Sequence, residues 1–219
     1  MKKILSTLLA ASLMLLGTQA FAQMSVNAGY LNSTMATSGD PVNSNGAYAG
    51  LSYNIPVAGG LSIAPGIYYS LIGGKQDVLA AGKWAQVDAT FTEHAINVPV
   101  YLNYGIGLSR DTKFFVYAGP TCQYGLASQY KVQGSSSALT DLLSKIGISA
   151  KAEGSSIVNN YDDADFNRFN VYLGGGIGIN AGGIIVNVGY DYGMLNQYKG
   201  DNAPKAHRSN LKIGIGYEF

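Results

Sequence analysis

Leu211-Lys-Ile-Gly-Ile-Gly-Tyr-Glu-Phe219 is the stretch that decides the fold. Leu211, Ile213, Ile215, Tyr217 and Phe219 take one parity, and Lys212, Gly214, Gly216 and Glu218 take the other. Side chains alternate across a β-strand with period two, so this is a strand with one wholly apolar face that ends in two aromatics. Its opposite face is small or charged.

Seven further segments of the same kind precede it, divided by clusters of Gly, Asn and Asp. Met24 to Leu31 sets Val26, Ala28 and Tyr30 against Asn27 and Gly29, and Ala47 to Ile55 sets Leu51 and Tyr53 against Ser52 and Asn54. After the turn Val57-Ala-Gly-Gly60, a third segment carries Leu61, Ile63, Pro65, Ile67 and Tyr69 on its apolar face. Ala95 to Tyr104 alternates Ile96, Val98, Val100 and Leu102 with Asn97, Pro99, Tyr101 and Asn103. Lys113 to Ala127, Phe166 to Asn180 and Ile184 to Leu195 complete the set, with Ala181-Gly-Gly183 as a turn between the last two. Connections after the second, fourth and sixth segments are tight, whereas those after the first, third, fifth and seventh are long, the longest spanning Ser128 to Asp165.

Eight strands with short turns at one end and long loops at the other predict an all-β, eight-stranded antiparallel up-and-down transmembrane β-barrel. Beyond residue 22 no apolar run approaches the ~20 residues of a spanning helix. A chain that crosses a membrane with strands must close them, because an open edge leaves backbone groups unpaired in hydrocarbon at several kcal/mol each. A soluble barrel of lipocalin type is the rival, with the apolar face turned inward; alternation alone does not say which face points out.

The amino terminus reads as a secretory signal. Lys2 and Lys3 precede an apolar run from Ile4 to Gly17, and Ala20-Phe21-Ala22 is an A-x-A cleavage site. Residues 1–22 are therefore expected to be removed, leaving residues 23–219 as one outer-membrane β-barrel domain. Loss of the two lysines takes the formal charge from +1 to −1, which gives no basis for nucleic-acid binding. Charged residues make up 12% of the chain, against about a quarter in soluble proteins. That deficit, with 29 glycines and 16 tyrosines, suits a wall that meets lipid between aromatic belts. Cys122 is the single cysteine, so no intrachain disulfide and no thiolate metal site can form.

Several stretches resemble the PorT-like outer-membrane β-barrel family common in Bacteroidetes: Ala95-Ile-Asn-Val-Pro-Val-Tyr-Leu-Asn-Tyr104, Tyr117-Ala-Gly-Pro-Thr-Cys-Gln-Tyr-Gly125, Tyr172-Leu-Gly-Gly-Gly-Ile-Gly178 and Gly216-Tyr-Glu-Phe219. Where that family often has an acid before Ile-Pro, this chain has Asn97-Val98-Pro99. The resemblance implies the fold and a bacterial outer-membrane location, with both termini periplasmic and long loops extracellular, but no general activity. The closing strand is also similar to that of outer-membrane barrels at large. That similarity implies that Tyr217 and Phe219 form a carboxyl-terminal signal read by the barrel-assembly machinery.

His207-Arg208-Ser209 is the nearest approach to a catalytic motif and resembles the lipid A deacylases, in which a Ser nucleophile, a His base and an orienting carboxylate cooperate. The only downstream acid, Glu218, lies nine residues beyond Ser209, ~30 Å along a strand, and Asp201 sits in a loop. The plainer reading is a polar rim with Arg208 toward lipopolysaccharide head groups. Glu93 and His94 are adjacent, so they face opposite sides at a strand mouth. Asp162, Asp163 and Asp165 lack the spaced ligands and turn glycine of a calcium loop. Ala138, Leu139, Leu142, Leu143 and Ile146 recur at helical spacing and predict a short helix in the longest loop.

One pair remains. Asp191 lies seven residues from the start of its strand and Lys212 seven from the end of the next, both on the non-apolar parity. Neighbouring strands bring them to similar depth, as an ion pair inside the barrel with Tyr172, Asn170 and Asn187 as further partners. Eight strands leave a lumen just wide enough for side chains to fill. The expectation is a monomeric, non-catalytic outer-membrane protein with a structural or surface-interaction role, its lumen plugged by polar side chains. Its partners are outer-membrane lipid and lipopolysaccharide, and it needs no cofactor or metal. A membrane-embedded lipid-modifying enzyme and a small-solute channel are the alternatives.

Overall fold

Period-two alternation produces a sheet that closes on itself. The structure, a computed structural model, describes residues 23–36, 41–79, 86–133, 155–163, 166–199 and 205–219. Among them are β1 (Met24–Ala36), β2 (Val42–Tyr53), β3 (Ile55–Ala58), β4 (Leu61–Leu79), β5 (Gln86–Gly107), β6 (Thr112–Gln133) and β7 (Ser155–Asn159). A four-residue helix, α1 (Asn160–Asp163), follows, and then β8 (Phe169–Ala181), β9 (Ile184–Gly193) and β10 (His207–Glu218).

These strands make eight staves. β2 and β3 are one strand interrupted at Asn54, and both pair with β4. β7 and β8 share one side of β6, meeting it through Gln129–Gln133 and Thr112–Tyr124 respectively. Every pairing is antiparallel, and β1 closes the ring by pairing with β2 on one side and β10 on the other, where Ala28 faces Ile215 and Tyr30 faces Ile213. The result is the expected all-β, eight-stranded antiparallel up-and-down barrel. Leu211, Ile213, Ile215, Tyr217 and Phe219 are 42–60% exposed on its outside, whereas Asn27, Asp191 and Asn210 are buried within. The apolar face therefore points out, and the lipocalin-like arrangement, which needs the reverse, is not the one adopted.

Two of the tight connections are two-residue turns on Gly59-Gly60 and Gly182-Gly183, all four with φ between 57° and 87°. Positive φ at both central positions is the turn that matches strand twist, and glycine enters that region without steric cost.

The structure departs from the alternation pattern at the other end. β4, β5 and β6 run to 19, 22 and 22 residues, so parts of the stretches expected as loops are strand. The longest connection begins after Gln133 instead of at Ser128, and β7 and α1 lie within it. Above the apolar band no lipid-facing stripe is needed, and Lys75, Gln76 and Asp77 pair with Thr90, Ala89 and Asp88 with no hydrophobic signature. A β-bulge also interrupts β5–β6: His94 faces Ala127 and Ala95 faces Gly125, leaving Leu126 as an extra residue. The segment expected as a helix, residues 138–146, and the signal at residues 1–22 lie outside the described residues.

Candidate functional site in the lumen

Inward parity places Asp191 of β9 and Lys212 of β10 in the barrel, one diagonal step apart, since Asp191 faces Asn210 and Lys212 faces Gly189. Lys212 Nζ lies 2.6 Å from Asp191 Oδ2, and their side chains are 17% and 5% exposed. The further partner comes from across the lumen: Lys212 Nζ donates to Tyr101 Oη on β5 at 2.8 Å. The expected partners Tyr172 and Asn170 are committed elsewhere, to Gln123 and Gln197. An ammonium withdrawn from water is tolerated when a carboxylate and a hydroxyl replace its hydration. Asp191 needs room as well, and Gly174 supplies it: a Cβ there would collide with Asp191 Oδ1.

A second ion pair stands nearer the long-loop end. Arg208 Nη1 donates to Glu93 Oε1 at 2.5 Å, with the two side chains 3% and 1% exposed. This corrects the reading of Arg208 as a rim cation toward lipopolysaccharide and of Glu93 as a mouth residue; both are lumenal. Arg208 shares the parity of Lys212, and Glu93 that of Asn97, so alternation already held the signal. A strand that begins at Ala95 excludes Glu93, whereas β5 runs from Gln86. Beside this pair Ile72, which faces Glu93, packs with Leu31 and Phe91 in a small apolar cluster, and Phe166 meets Tyr198 edge to face at 4.6 Å. Tyr161 of α1 sits against Gly125 with Arg168 4.8 Å from its ring centre. Burial pushes its hydroxyl above the usual phenol range, and the neighbouring Glu93 acts in the same direction.

Below the Asp191–Lys212 pair the lumen opens. A cavity of about 460 Å³ runs down to the tight-turn end, where residues 56–62 and Glu218 line it. Hydrogen bonds link parts of its wall: Gln123 Nε2 donates to Asn97 Oδ1 at 2.9 Å, and Asn97 Nδ2 to Ser70 Oγ at 2.8 Å. Asn27 Nδ2 donates to Ser25 and Ser52 at 3.0 and 3.1 Å. Tyr48 folds across Gly29 and Gly214, and Tyr117 across Gly176 and Gly189, places where a Cβ would strike the ring or hydroxyl. By contrast, the space enclosed by Ile72, Phe91, Phe166 and Arg208 is about 20 Å³, little more than a single water needs.

The other candidates fall outside the lumen. His207 and Ser209 share the outward parity of Leu211; the His207 ring stacks on Tyr192 at 5.7 Å, and its Nδ1 lies 3.1 Å from the Gly193 carbonyl oxygen. An Nδ1–H directed at a carbonyl takes the place an orienting carboxylate would hold. Glu218 instead accepts from Asn180 at 2.9 Å at the far end of β10, and Asp201 lies outside the described residues. His94 Nδ1 meets the Tyr69 hydroxyl on the outer face, while Glu93 points inward, as adjacency requires. The side chains of Asp162, Asp163 and Asp165 lie outside the described residues, and among those described no cluster of metal-ligating side chains occurs. Cys122 is exposed on the outer wall. Tyr217 and Phe219 are likewise outward, edge to face at 5.3 Å, and Phe219 N donates to Met24 O at 3.0 Å, stitching the two ends of the chain.

Residues 17–199 match the family described as an outer membrane protein beta-barrel domain. No curated protein matches the sequence. Among solved structures, the chain is similar to the attachment invasion locus protein Ail of Yersinia pestis, crystallised with the heparin analogue sucrose octasulfate, at 12% identity and a TM-score of 0.48, covering 90% of this chain and 98% of Ail. It is similar to Neisserial surface protein A at 12% identity and a TM-score of 0.47, covering 90% and 97%. The outer membrane enzyme PagL is similar at 11% identity and a TM-score of 0.43, covering 87% and 99%.

Proposed function

The chain belongs to the outer membrane protein β-barrel domain family, and from that premise we propose that this bacterial outer-membrane protein works without catalysis, as a structural element or through its surface loops. The observation that carries this reading is the stacking of two buried ion pairs, Arg208–Glu93 above Lys212–Asp191, across a lumen that is packed at its long-loop end. A pore needs a continuous aqueous path, and an eight-stranded wall is narrow enough for side chains to fill.

In this reading the protein is a PorT-like monomer, exported by a cleaved signal at residues 1–22. Tight turns and both termini are periplasmic, and the long loops face outward among lipopolysaccharide. The barrel-assembly machinery recognises the aromatic end at Tyr217 and Phe219. Outer-membrane fractionation with heat-modifiability on a gel tests the assignment, and protease access to intact cells tests the orientation. A lipid-modifying role for His207 and Ser209 has the weaker support, since His207 Nδ1 is directed at a backbone carbonyl. A lipid A mass profile that changes with expression of the protein, and not with a Ser209→Ala variant, would overturn the non-catalytic reading.

A further inference from the structure

We propose that the cavity at the tight-turn end is a binding site for a neutral polyhydroxylated ligand of mono- or disaccharide size. Its volume of about 460 Å³ falls in the ~300–1,000 Å³ range of small-molecule pockets. The lining selects the chemistry. Eight carboxamides face it, Asn27, Asn54, Asn97, Asn103, Asn180, Asn187, Asn210 and Gln123, together with the rings of Tyr48, Tyr68, Tyr101, Tyr117 and Phe115. Its charged residues are Lys113, Lys212, Asp191 and Glu218, which sum to zero.

Charge is not what this cavity offers. Lys212 and Asp191 are paired with each other, and the remaining Lys113 and Glu218 carry opposite charges, so the lining offers a ligand no net charge to match. An apolar ligand would strand the carboxamides away from water, at a cost for every unmet group. Four lining acceptors lack a hydrogen-bond partner: Asn54 Oδ1, Asn103 Oδ1, Asp191 Oδ1 and Asn210 Oδ1, the last on a residue 5% exposed. They are spread along the cavity, with Asn54 and Asn103 toward the turns and Asn210 near the Lys212 end. A hydroxyl both donates and accepts, as a carboxamide does, so a polyol meets this lining without displacing a charge. The tyrosine rings provide flat apolar surface for the C–H faces of a sugar ring. Only the side of entry, the periplasm, rests on the orientation proposed above; the binding itself does not.

The test is saturation-transfer difference NMR on the folded full chain in lipid nanodiscs. Maltose and N-acetylglucosamine serve as neutral probes, and glucuronate and glucosamine as charged counterparts. At about 10 mM probe, enough to populate a site of millimolar Kd, both neutral sugars are expected to give transfer signals that the charged ones do not match. Asn54→Leu with Asn103→Leu should weaken the signal about tenfold while heat-modifiability persists, since a site that hydrogen-bonds hydroxyls loses most when its polar groups are removed. If that pair fails to fold, either single variant serves, with a loss of about threefold expected from one missing hydrogen bond. A folded wild-type protein silent toward both neutral probes, charged sugars that bind as well, or folded variants with undiminished signal would each overturn the site. Because the measurement uses purified protein, its failure is separate from failure of the location or orientation, which only cells report.

Discussion

Lys212 holds its charge in the barrel through two contacts, Asp191 at 2.6 Å and the Tyr101 hydroxyl at 2.8 Å. Lys212→Met leaves Asp191 buried and unmatched, which should cost about 3–5 kcal/mol. Denaturant unfolding of the refolded barrel in detergent measures it, and Asp191→Leu combined with Lys212→Met should recover most of the loss, because removing both charges is nearly neutral where removing one is not. Gly174→Ala probes the same pair from behind, since its methyl would occupy the position of Asp191 Oδ1. A destabilisation of about 1–3 kcal/mol, as for overpacking, should shrink in an Asp191→Ala, Lys212→Met background, which removes every atom beyond Cβ at position 191 and leaves only the Tyr190 carbonyl oxygen close to the new methyl. Persistence of the penalty there would show that Gly174 answers to the backbone of its neighbour and not to Asp191. Parity was enough to bring Asp191 and Lys212 to one face. It was not enough to find Tyr101, because a contact from β5 to β10 across the lumen depends on barrel diameter, which no local pattern encodes.

The strands were legible where lipid imposes a pattern and illegible where it does not. Ile213, Ile215 and Tyr217 must be apolar because they face outward, so β10 can be read directly. At the long-loop ends of β4 and β5 the backbone ladder continues through Lys75–Thr90 and Asp77–Asp88, where the sequence carries no apolar alternation. Glu93 was misplaced for this reason alone. β10 also carries the aromatic end: Phe219 packs on Tyr217 and its amide bonds to Met24 at the seam between first and last strands. Deletion of Phe219 should slow assembly and leave unfolded protein in the periplasm, with a smaller effect on the stability of barrels already folded. Pulse-chase heat-modifiability measures the rate, and insertion as efficient as that of the full chain would remove the terminal-signal reading.

For the molecule as a whole, polarity is inverted relative to a soluble protein, with hydrogen-bonding side chains inside and Leu, Ile and Tyr outside. The lumen is graded along its axis, from a hydrogen-bonded cavity at the tight-turn end, through two ion pairs, to the space packed by Ile72, Phe91 and Phe166. A plugged polar interior was expected from the strand count; the cavity beneath the plug was not, because it lies among side chains of many strands, with Tyr48 and Tyr117 resting on glycines of other strands, and no local pattern encodes such contacts. In a planar bilayer the protein should show no steady single-channel conductance at neutral pH. Clear, stable current steps would favour the small-solute channel. Removing both ion pairs, through Glu93→Ala, Arg208→Ala, Asp191→Ala and Lys212→Ala together, is expected to introduce such steps if the barrel still folds.

The bulge at Leu126 gives this wall a place where its chain length can change. Gln123 and Gly125 face inward below it and Ser128 above it, with Leu126 as the supernumerary residue between. Deleting Leu126 would leave Gly125, Ala127 and Ser128 in simple alternation, with every other β6 side chain on the face it already occupies. Deleting Gln123 instead would turn one end of the strand inside out, sending polar groups to lipid or isoleucine-like bulk to the lumen. Single-residue deletions along β6, scored by heat-modifiability, should therefore be tolerated at Leu126 or its neighbour Ala127, either of which restores simple alternation, and not at Gln123. In such a barrel, one spare residue is what separates a harmless indel from a reversed wall.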